Sequence, residues 1–408
     1  MPRRHGLTHG HQLQLIEGGQ AYFHQLITAI DQARSQVQLE TYIFDFHGEA
    51  AAVAEALVRA ALRGVRVWLV VDGVGTGHLP EDWAQRFADA GVECRIYSPL
   101  GKLGLLIPSR WRRLHRKLAV VDGLLAFCGG INILDDWFDE RHGTLAQPRL
   151  DFAVQARGAL VQQIQETMTQ LWWRLQAVRY VRQRDFPEAF SSFRTAGVSL
   201  PWAHDGEGGH AQSAMRAGLL LRDNLLHRAR IEKAYLKAIA AARHEVVIAN
   251  AYFLPGRRLR RALVMAVQRG LRVRLILQGR YDYFMQYHAV RPVYGTLLAA
   301  GVEIHEYTAS FLHAKVAVVD ARHDRPWATV GSSNLDPLSL LLAREANVVV
   351  ADQGFATQLQ LRLEEIMAGQ CVAVSAQSVA QRSWHQRLRD RVAFGLMRLA
   401  LFLSGNRY

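Results

Sequence analysis

Two short segments of the chain repeat one arrangement of histidine, lysine and aspartate whose side chains suit phosphoryl transfer. The pattern His-x-Lys-x4-Asp occurs first at His115, Lys117 and Asp122, and again at His313, Lys315 and Asp320. A neutral imidazole can attack phosphorus and form a phosphoramidate, which divides one displacement into two easier steps. A second, protonated imidazole can give its proton to the leaving alcohol. The repeat therefore predicts catalysis through a covalent phosphohistidine.

The spacing within each motif predicts where its side chains point. Residues two apart on a β-strand share a face, so each histidine projects together with its lysine, which can neutralise phosphate oxygens in the transition state. Residues 118–121 and 316–319 are apolar and predict buried strands. Asp122 and Asp320 follow these strands in turns, and we expect them to fix local geometry. A glycine-containing turn then ends at Asn132 or Asn334, whose amides can donate further hydrogen bonds to phosphate.

The duplication extends beyond the motifs. Helix, strand, helix, strand and motif hairpin follow one another twice, with helices predicted near 21–33 and 232–242. Duplicated chains usually form two lobes across a pseudo-two-fold axis. The predicted fold class is α/β, with two duplicated lobes that each contain a mixed β-sheet flanked by helices, and one site that receives a His–Lys pair from each lobe. The predicted divisions are a first lobe at 1–180, a linker at 181–218, a second lobe at 219–370 and a basic, apolar tail at 371–408.

Composition limits the class of protein. Of the 408 residues, 50% are hydrophobic, and the net charge is +13, which favours polyanionic partners such as nucleic acid or an anionic membrane. Three scattered cysteines predict no disulfide framework and fit a cytoplasmic location. We find no signal peptide and no apolar run long enough to span a bilayer. No metal and no cofactor are expected, because the lysines already supply positive charge, and the histidines at 5, 9 and 11 are interpreted as a flexible polar terminus.

Apolar segments beside arginine clusters favour the membrane over nucleic acid. Residues 102–108 are apolar and lead into Trp111 and several arginines just before His115. Near the C-terminus, Trp384 and three arginines precede an apolar run over 392–403 that is too short to cross a bilayer. This tail predicts an interfacial helix. The alternative is a core helix that packs on the second lobe.

Several segments resemble the phospholipase D superfamily, and within it the bacterial cardiolipin synthases of the short B type, which lacks N-terminal transmembrane helices. The resemblance covers nearly the whole chain. It is carried by residues 39–42 (LETY), 114–117 (LHRK), 249–256 (ANAYFLPG), 312–315 (LHAK) and, most specifically, 328–340 (ATVGSSNLDPLSL) followed by 345–347 (EAN). The two motifs alone identify the superfamily. The long second-motif segment is what resembles the synthases.

The resemblance implies phospholipase D-like lobes and a peripheral enzyme on the cytoplasmic face of the bacterial inner membrane. It would transfer a phosphatidyl group between two phosphatidylglycerol molecules without nucleic acid as a partner, and its oligomeric state is open. His115 would be the nucleophile and His313 the acid, although the residues themselves do not break this symmetry. Glu40, Asp151 and Glu345 are carboxylates that could orient a histidine, and Glu345 best fits the family pattern. The residues expected to bind substrate are Asn132, Asn334, Glu345, Ser333 and Arg116.

Three alternatives share these motifs. In a phospholipase D-type hydrolase, water would accept the phosphatidyl group, and exclusion of water from the site would decide between hydrolysis and transfer. A superfamily nuclease would act on a phosphodiester backbone, which the basic surface permits. A non-catalytic lipid-binding protein would have no need for two intact His–Lys pairs.

Overall fold

The structure is a computed structural model that describes residues 6–101, 108–139, 141–197, 215–223, 227–281, 284–336, 343–377, 381 and 383–403. The predicted apolar patch at 102–107 and residues 337–342 of the second-motif segment lie outside the described residues. The described part of the chain forms one 16-stranded mixed sheet, a separate two-stranded hairpin and helices that cover both faces of the sheet.

The first lobe alternates strands with helices before it reaches the motif hairpin. Its strands are β1 (Thr8–Glu17), β2 (Gln36–Thr41), β3 (Arg66–Asp72), β4 (Glu93–Tyr97), β5 (Arg113–Leu114), β6 (Lys117–Val121), β7 (Leu125–Gly129), β8 (Phe138–Asp139), β9 (Gly143–Thr144) and β10 (Phe152–Arg157). Its helices are α1 (Gly19–Gln32), α2 (Gly48–Leu62), α3 (Glu81–Ala90), α4 (Ala159–Arg182) and α5 (Phe186–Gly197). Part of the predicted linker is therefore helical, and α5 packs on α4.

The second lobe repeats this order. Its strands are β11 (Met215–Arg222), β12 (Glu245–Asn250), β13 (Arg272–Gln278), β14 (Glu303–Tyr307), β15 (Lys315–Val319), β16 (Trp327–Gly331), β17 (Ala343–Ala351) and β18 (Cys371–Ala373). Its helices are α6 (Arg230–Ala241), α7 (Arg257–Gln268), α8 (Phe284–Ala299), α9 (Gln353–Gln370) and α10 (Trp384–Leu403). β18, at the start of the predicted tail, pairs with β14 and so belongs to the sheet.

The sheet has the two-fold pattern that duplication predicts. From the centre outward the strand order is β1-β10-β7-β6-β2-β3-β4 in one lobe and β11-β17-β16-β15-β12-β13-β14 in the other. The two halves meet at the antiparallel pair β1 and β11. The predicted flexible terminus is wrong for the described residues, because His9 and His11 lie in β1. His11 is buried, with Nε2 2.8 Å from the Thr8 hydroxyl.

Each motif strand lies between a shared central core and the outer core of its own lobe. Leu118 on β6 and Val316 on β15 face one central core, to which both half-sheets and helices α4 and α9 contribute. Their neighbours Ala119 and Ala317 face the outer cores of the first and second lobe. Because strand residues alternate between faces, each motif strand is covered on both sides. The shared central core therefore fixes the two motifs relative to each other.

Helix α10 packs one face on the second lobe, which agrees with the alternative prediction that the tail forms a core helix. It lies along α8, Ala393 joins the core of the lobe, and His288 Nδ1 lies 2.7 Å from Asp390 Oδ1 in a buried pair. Its opposite side exposes an apolar stripe at every fourth residue: Trp384, Leu388, Val392 and Leu396, each more than half exposed. Among the described helices, none combines the length and apolar character that a membrane crossing requires.

Candidate active site

The main chain of each lobe holds the motif histidine of the other. The His115 N–H donates to the Arg344 carbonyl at 3.0 Å, where β5 runs parallel to the start of β17. In the same way, the His313 N–H donates to the Leu150 carbonyl at 2.8 Å, beside a parallel bridge between Leu150 and Leu312. Both histidines therefore lie at the seam between the lobes.

The imidazoles are oriented across the same seam. His115 Nδ1 lies 3.0 Å from Glu345 Oε1, and His313 Nδ1 lies 2.6 Å from Asp151 Oδ2. A carboxylate at Nδ1 favours the tautomer with its proton on that nitrogen, which leaves Nε2 for the reaction. Each lobe thus supplies one histidine and the carboxylate that orients the other lobe's histidine. Sequence reasoning named both carboxylates as candidates but did not assign them to their partners.

A single cavity of about 550 Å³ contains both histidines. Asn132 and Asn334, the two asparagines expected to bind substrate, also line it, and Asn132 Oδ1 accepts a hydrogen bond from the Ile43 N–H at 3.3 Å. The remaining walls are aromatic, apolar or charged, and include Tyr42, Trp111, Tyr252, Phe311, Arg113, Asp136, Asp139, Arg149 and Asp336. A volume of this size lies within the range that is typical of small-molecule sites in proteins.

The motif lysines lie buried beside the histidines. Lys117 Nζ donates to the His115 carbonyl at 2.7 Å, and Lys315 Nζ donates to the His313 carbonyl. Burial lowers the pKa of Lys117 to about 7 and that of Lys315 to about 8, because the charged form loses its hydration. Their charge therefore responds to a phosphate: an anion in the cavity would favour the protonated form of both.

The two histidine–carboxylate pairs differ in their electrostatics. Burial lowers the pKa of His115, and Glu345 opposes this effect. Burial and then the two lysines lower the pKa of His313 well below its usual value. Burial also raises the pKa of Asp151 to about 6. For Glu345, burial acts in the same direction, but His115, Lys117 and the Ser332 hydroxyl outweigh it and lower the pKa.

The motif aspartates lie at the far ends of their strands, outside the cavity lining. Asp122 accepts main-chain hydrogen bonds from Arg34, Ser35 and Gln36 at 2.8–2.9 Å. Asp320 accepts the equivalent bonds from Arg243, His244 and Glu245 at 2.7–2.9 Å. Each carboxylate thus joins its motif strand to the turn that precedes the neighbouring strand β2 or β12. This arrangement is consistent with a positioning role in both lobes.

Three residues predicted for the site, Arg116, Glu40 and Ser333, lie outside the cavity lining. Arg116 forms a buried ion pair with Glu40, its Nη2 3.1 Å from Glu40 Oε1, and faces α4 through the Thr167 carbonyl at 3.4 Å. The guanidinium is therefore committed within the first lobe and is not placed to bind substrate, and Glu40 orients no histidine. Ser333 is fully buried and its hydroxyl lies 3.5 Å from the Asn334 carbonyl, outside the cavity lining.

Sequence reasoning missed the charged residues of the cavity wall. Asp136, Asp139 and Arg149 come from the segment after Asn132, which carries the β8–β9 hairpin. The signal was a cluster of acidic residues directly after the first motif turn. Among the described residues, no group of three or more histidine, cysteine, aspartate or glutamate side chains is arranged to hold a metal ion.

Comparison with known proteins identifies the class that this fold and site define. The family model described as "Cardiolipin synthase, PLD-like domain" matches residues 26–172 and 235–367, one match in each lobe. The chain belongs to this family, and the resemblance predicted from the motifs is confirmed. Family membership makes it an enzyme of the phosphatidyltransferase class.

Two proteins with similar sequences and one with a similar structure show how far the similarity extends. Cardiolipin synthase B of Escherichia coli K12 is 36% identical over 392 residues, which cover 95% of this chain and 88% of the relative. Cardiolipin synthase A of Pseudomonas putida is 30% identical over 382 residues, 94% of this chain and 73% of that one. Phosphatidylserine synthase of Haemophilus influenzae has the same fold, with a TM-score of 0.66 at 11% identity over 95% of this chain and 94% of its own. The predicted two-lobe α/β fold is thus confirmed.

Proposed function

We propose that this enzyme makes cardiolipin from two molecules of phosphatidylglycerol. The observation that carries the proposal is that each lobe orients the histidine of the other at one shared cavity. Glu345 lies at Nδ1 of His115 and Asp151 at Nδ1 of His313, so the Nε2 atoms of both imidazoles are available to one phosphate group. The similarity to cardiolipin synthases A and B over most of their length supports the choice of substrate.

In the first step, His115 Nε2 attacks the phosphorus of phosphatidylglycerol. The anionic phosphodiester raises the proton affinity of His313, so that its ring carries a proton on Nε2 as well as on Nδ1. A P–N bond forms, the bond from phosphorus to the headgroup glycerol breaks, and His313 gives this Nε2 proton to the departing glycerol oxygen. The ionised Glu345 at Nδ1 stabilises the positive charge that develops on the His115 ring. Its lowered pKa supports this assignment, because the partner of a nucleophilic imidazole must remain a carboxylate.

In the second step, a hydroxyl of another phosphatidylglycerol headgroup replaces glycerol. His313 takes the hydroxyl proton, the oxygen attacks phosphorus, and the P–N bond to His115 breaks. Lys117 and Lys315, whose ammonium groups lie beside the motif histidines, neutralise the negative charge of the phosphate. The side-chain amides of Asn132 and Asn334 can donate hydrogen bonds to its non-bridging oxygens. The buried lysines supply the positive charge for which other phosphoryl-transfer sites use a metal.

The exposed stripe on α10 supports association with an anionic membrane. Four apolar side chains on one side of the helix, with Arg389 and Arg391 exposed nearby, match the composition of interfacial helices. We propose that the enzyme lies peripherally on the cytoplasmic face of the bacterial inner membrane and uses no nucleic acid partner.

The reaction is tested by incubating the enzyme with phosphatidylglycerol vesicles and separating the lipids by thin-layer chromatography. Formation of cardiolipin with one glycerol released per product is the expected result. Phosphatidic acid as the sole product would make the enzyme a hydrolase. Absence of lipid turnover, with cleavage of single-stranded DNA in a parallel assay, would identify a nuclease.

A further inference from the structure

Two helices begin at equivalent places beside the cavity. In each lobe the chain runs from a tyrosine of the cavity lining into a helix, from Tyr42 into α2 and from Tyr252 into α7. On the way, a main-chain N–H donates to the carbonyl of the residue after the motif asparagine. That acceptor is Ile133 at 2.7 Å in the first lobe and Leu335 at 3.0 Å in the second. The starts of α2 and α7 are therefore related by the two-fold pattern of the fold.

The two helix starts carry opposite charges. Four of the first five residues of α7 are arginine: Arg257, Arg258, Arg260 and Arg261. Helix α2 begins at Gly48 and has Glu49 in its first turn. Asp45 lies just before α2, and the carboxylate of Asp135 lies against Gly48. The surroundings of the cavity are therefore positive beside α7 and negative beside α2.

Three of the arginines form an exposed face of α7. Arg257, Arg258 and Arg261 are exposed, and none of the three forms an ion pair or a side-chain hydrogen bond with a residue that the structure describes. These three residues form the α7 arginine face. Met265, which is 46% exposed, lies one turn after Arg261 on the same side. The opposite side of the helix packs into the core of the second lobe through Leu259, Leu263 and Ala266.

The stability of the fold does not account for the α7 arginine face. Positive charge in the first turn of a helix is opposed by the helix dipole, and arginines three or four positions apart repel each other. Elsewhere in the second lobe, exposed arginines have acidic partners: Arg272 pairs with Glu303, and Arg322 with Glu364, both at 2.7 Å. A cluster of exposed, unpaired cations matches a negatively charged partner outside the chain.

Three features favour an anionic bilayer over a nucleic acid as this partner. Met265 adds exposed apolar surface beside the arginines, as in helices that lie in the bilayer interface. Helix α7 contains no aromatic residue on which a base could stack. Helix α10, with its exposed apolar stripe, lies on the same lobe, since α8 packs against both α7 and α10.

We propose that the α7 arginine face binds the headgroups of anionic lipids and thereby holds the second-lobe side of the cavity against the bilayer. The acidic start of α2 is not attracted to such a surface, so the attraction acts on one side of the cavity. Arg257 is five residues from Tyr252, and a chain spans at most about 3.6 Å per residue, so their Cα atoms lie within about 18 Å of each other. The proposal rests on the function proposed above for the presence of an anionic membrane, and it adds the surface that contacts the headgroups.

The test is flotation with vesicles of phosphatidylglycerol and phosphatidylcholine, which requires no turnover. The variant combines Arg257→Gln, Arg258→Gln and Arg261→Gln. Each basic residue near an anionic surface contributes about fivefold in affinity, so the variant should bind on the order of a hundredfold more weakly at low salt. The difference from wild type should shrink as salt is added, because salt screens the attraction. Binding to vesicles of phosphatidylcholine alone should be the same for both proteins.

Matched variants separate the location of the charge from its amount and from structure. Arg34→Gln, Arg243→Gln and Arg325→Gln together remove the same charge from three exposed arginines at the ends of the motif sheets opposite the cavity, and this control should keep nearly all of the vesicle binding. Replacing the α7 arginine face by three lysines keeps the charge and should also preserve binding. The glutamine variant should fold at least as well as wild type, because it removes positive charge from the start of a helix.

Four results would overturn the proposal: unchanged vesicle binding in the glutamine variant, an equal loss in the far-end control, an equal loss in the lysine variant, or a loss of oligonucleotide binding with vesicle binding retained. The last result would identify a nucleic acid surface. The proposed function is tested separately with short-chain phosphatidylglycerol below its micelle concentration, on which the glutamine variant should keep wild-type turnover. If the wild-type enzyme makes no cardiolipin but its vesicle binding depends on the arginines, the proposed function fails and the lipid-binding surface stands.

Discussion

In both lobes a motif histidine meets a carboxylate from the other lobe, yet the partner is Glu345 on one side and Asp151 on the other. The residue in the turn beside each carboxylate also differs between the lobes. Ser332 donates its hydroxyl to Glu345, whereas the equivalent Gly130 leaves room for Asp151, since a Cβ there would lie 2.3 Å from Asp151 Oδ1. Duplication preserved the backbone that brings the groups together, and divergence changed the charges around them. One duplicated scaffold thus presents two imidazoles in different electrostatic surroundings at a pseudo-two-fold axis.

The largest effect should come from the histidines. His115→Ala and His313→Ala should each lower the rate of cardiolipin formation on the order of a thousandfold or more, and the double variant should be no slower than the slower single one, because the two act in one sequence. Rapid quench should find acid-labile label on His115 in the wild type, a slowly formed label in His313→Ala and none in His115→Ala. Matching thermal unfolding curves serve as the control. Label on His313 would exchange the two roles and leave the mechanism intact.

The crossed carboxylates should produce the next largest effect. Glu345→Gln or Asp151→Asn removes the charge that fixes the imidazole tautomer, and a loss of about a hundredfold to ten-thousandfold in turnover is expected. Glu40→Gln is the control, because it removes a buried carboxylate that pairs with Arg116 outside the cavity. Per folded molecule, the control should keep its turnover. Equal losses in all three variants would mean that the crossed pairs only stabilise the fold.

The two lobes also differ in their surfaces, because α10, with its exposed apolar stripe, packs on the second lobe. Leu388→Glu with Leu396→Glu should weaken binding to phosphatidylglycerol vesicles about tenfold or more, if each half-exposed leucine contributes about 1 kcal/mol at the bilayer surface. Activity in detergent micelles should fall much less. Leu62→Glu, on α2 and 70% exposed, is the matched control. Unchanged flotation of the stripe variant would remove α10 from the membrane interface. Deleting the helix is a poorer test, because it would expose the core around Ala393 and leave His288 without Asp390.

Local patterns predicted the motif strands, the duplicated order and the helices that flank them, because apolar alternation and turn residues act over a few positions. Pairings between distant segments could not be predicted in this way. His115 and Glu345 are 230 residues apart, and only the resemblance to the family, not a local pattern of residues, favoured Glu345 over Glu40 as an orienting carboxylate. Arg116 lies next to His115 in sequence, but its guanidinium pairs with Glu40 and faces the Thr167 carbonyl of α4 instead of the cavity.

Strand β1 was misjudged, and helix α10 was left open between two interpretations, because the sequence signals of both elements were mixed. Strand β1 alternates Leu13, Leu15 and polar residues, but the preceding histidines resembled a solvated terminus. Its pairing with β10 and β11 depends on segments more than 130 residues away. Helix α10 combines one face that packs on α8 with another that is exposed and apolar. A sequence pattern cannot divide these two apolar faces between the core and a membrane.

The smallest effect on chemistry should come from the motif aspartates, where the two lobes are most alike. Asp122→Ala leaves three main-chain N–H groups without their acceptor and should lower the free energy of unfolding by about 1–3 kcal/mol, with turnover per folded molecule close to wild type. Asp320→Ala should do the same in the second lobe. The pKa of Asp122 is lowered because the N–H groups outweigh partial burial, so its contribution is fully present above the carboxyl's unfolded pKa and is lost as pH falls through the folded value. Urea unfolding of wild type and Asp122→Ala at pH 7 and at successively lower pH should therefore show the two midpoints converging in acid. A gap that stayed constant to the lowest pH, or a large loss of turnover per folded molecule at pH 7, would assign these aspartates a different role.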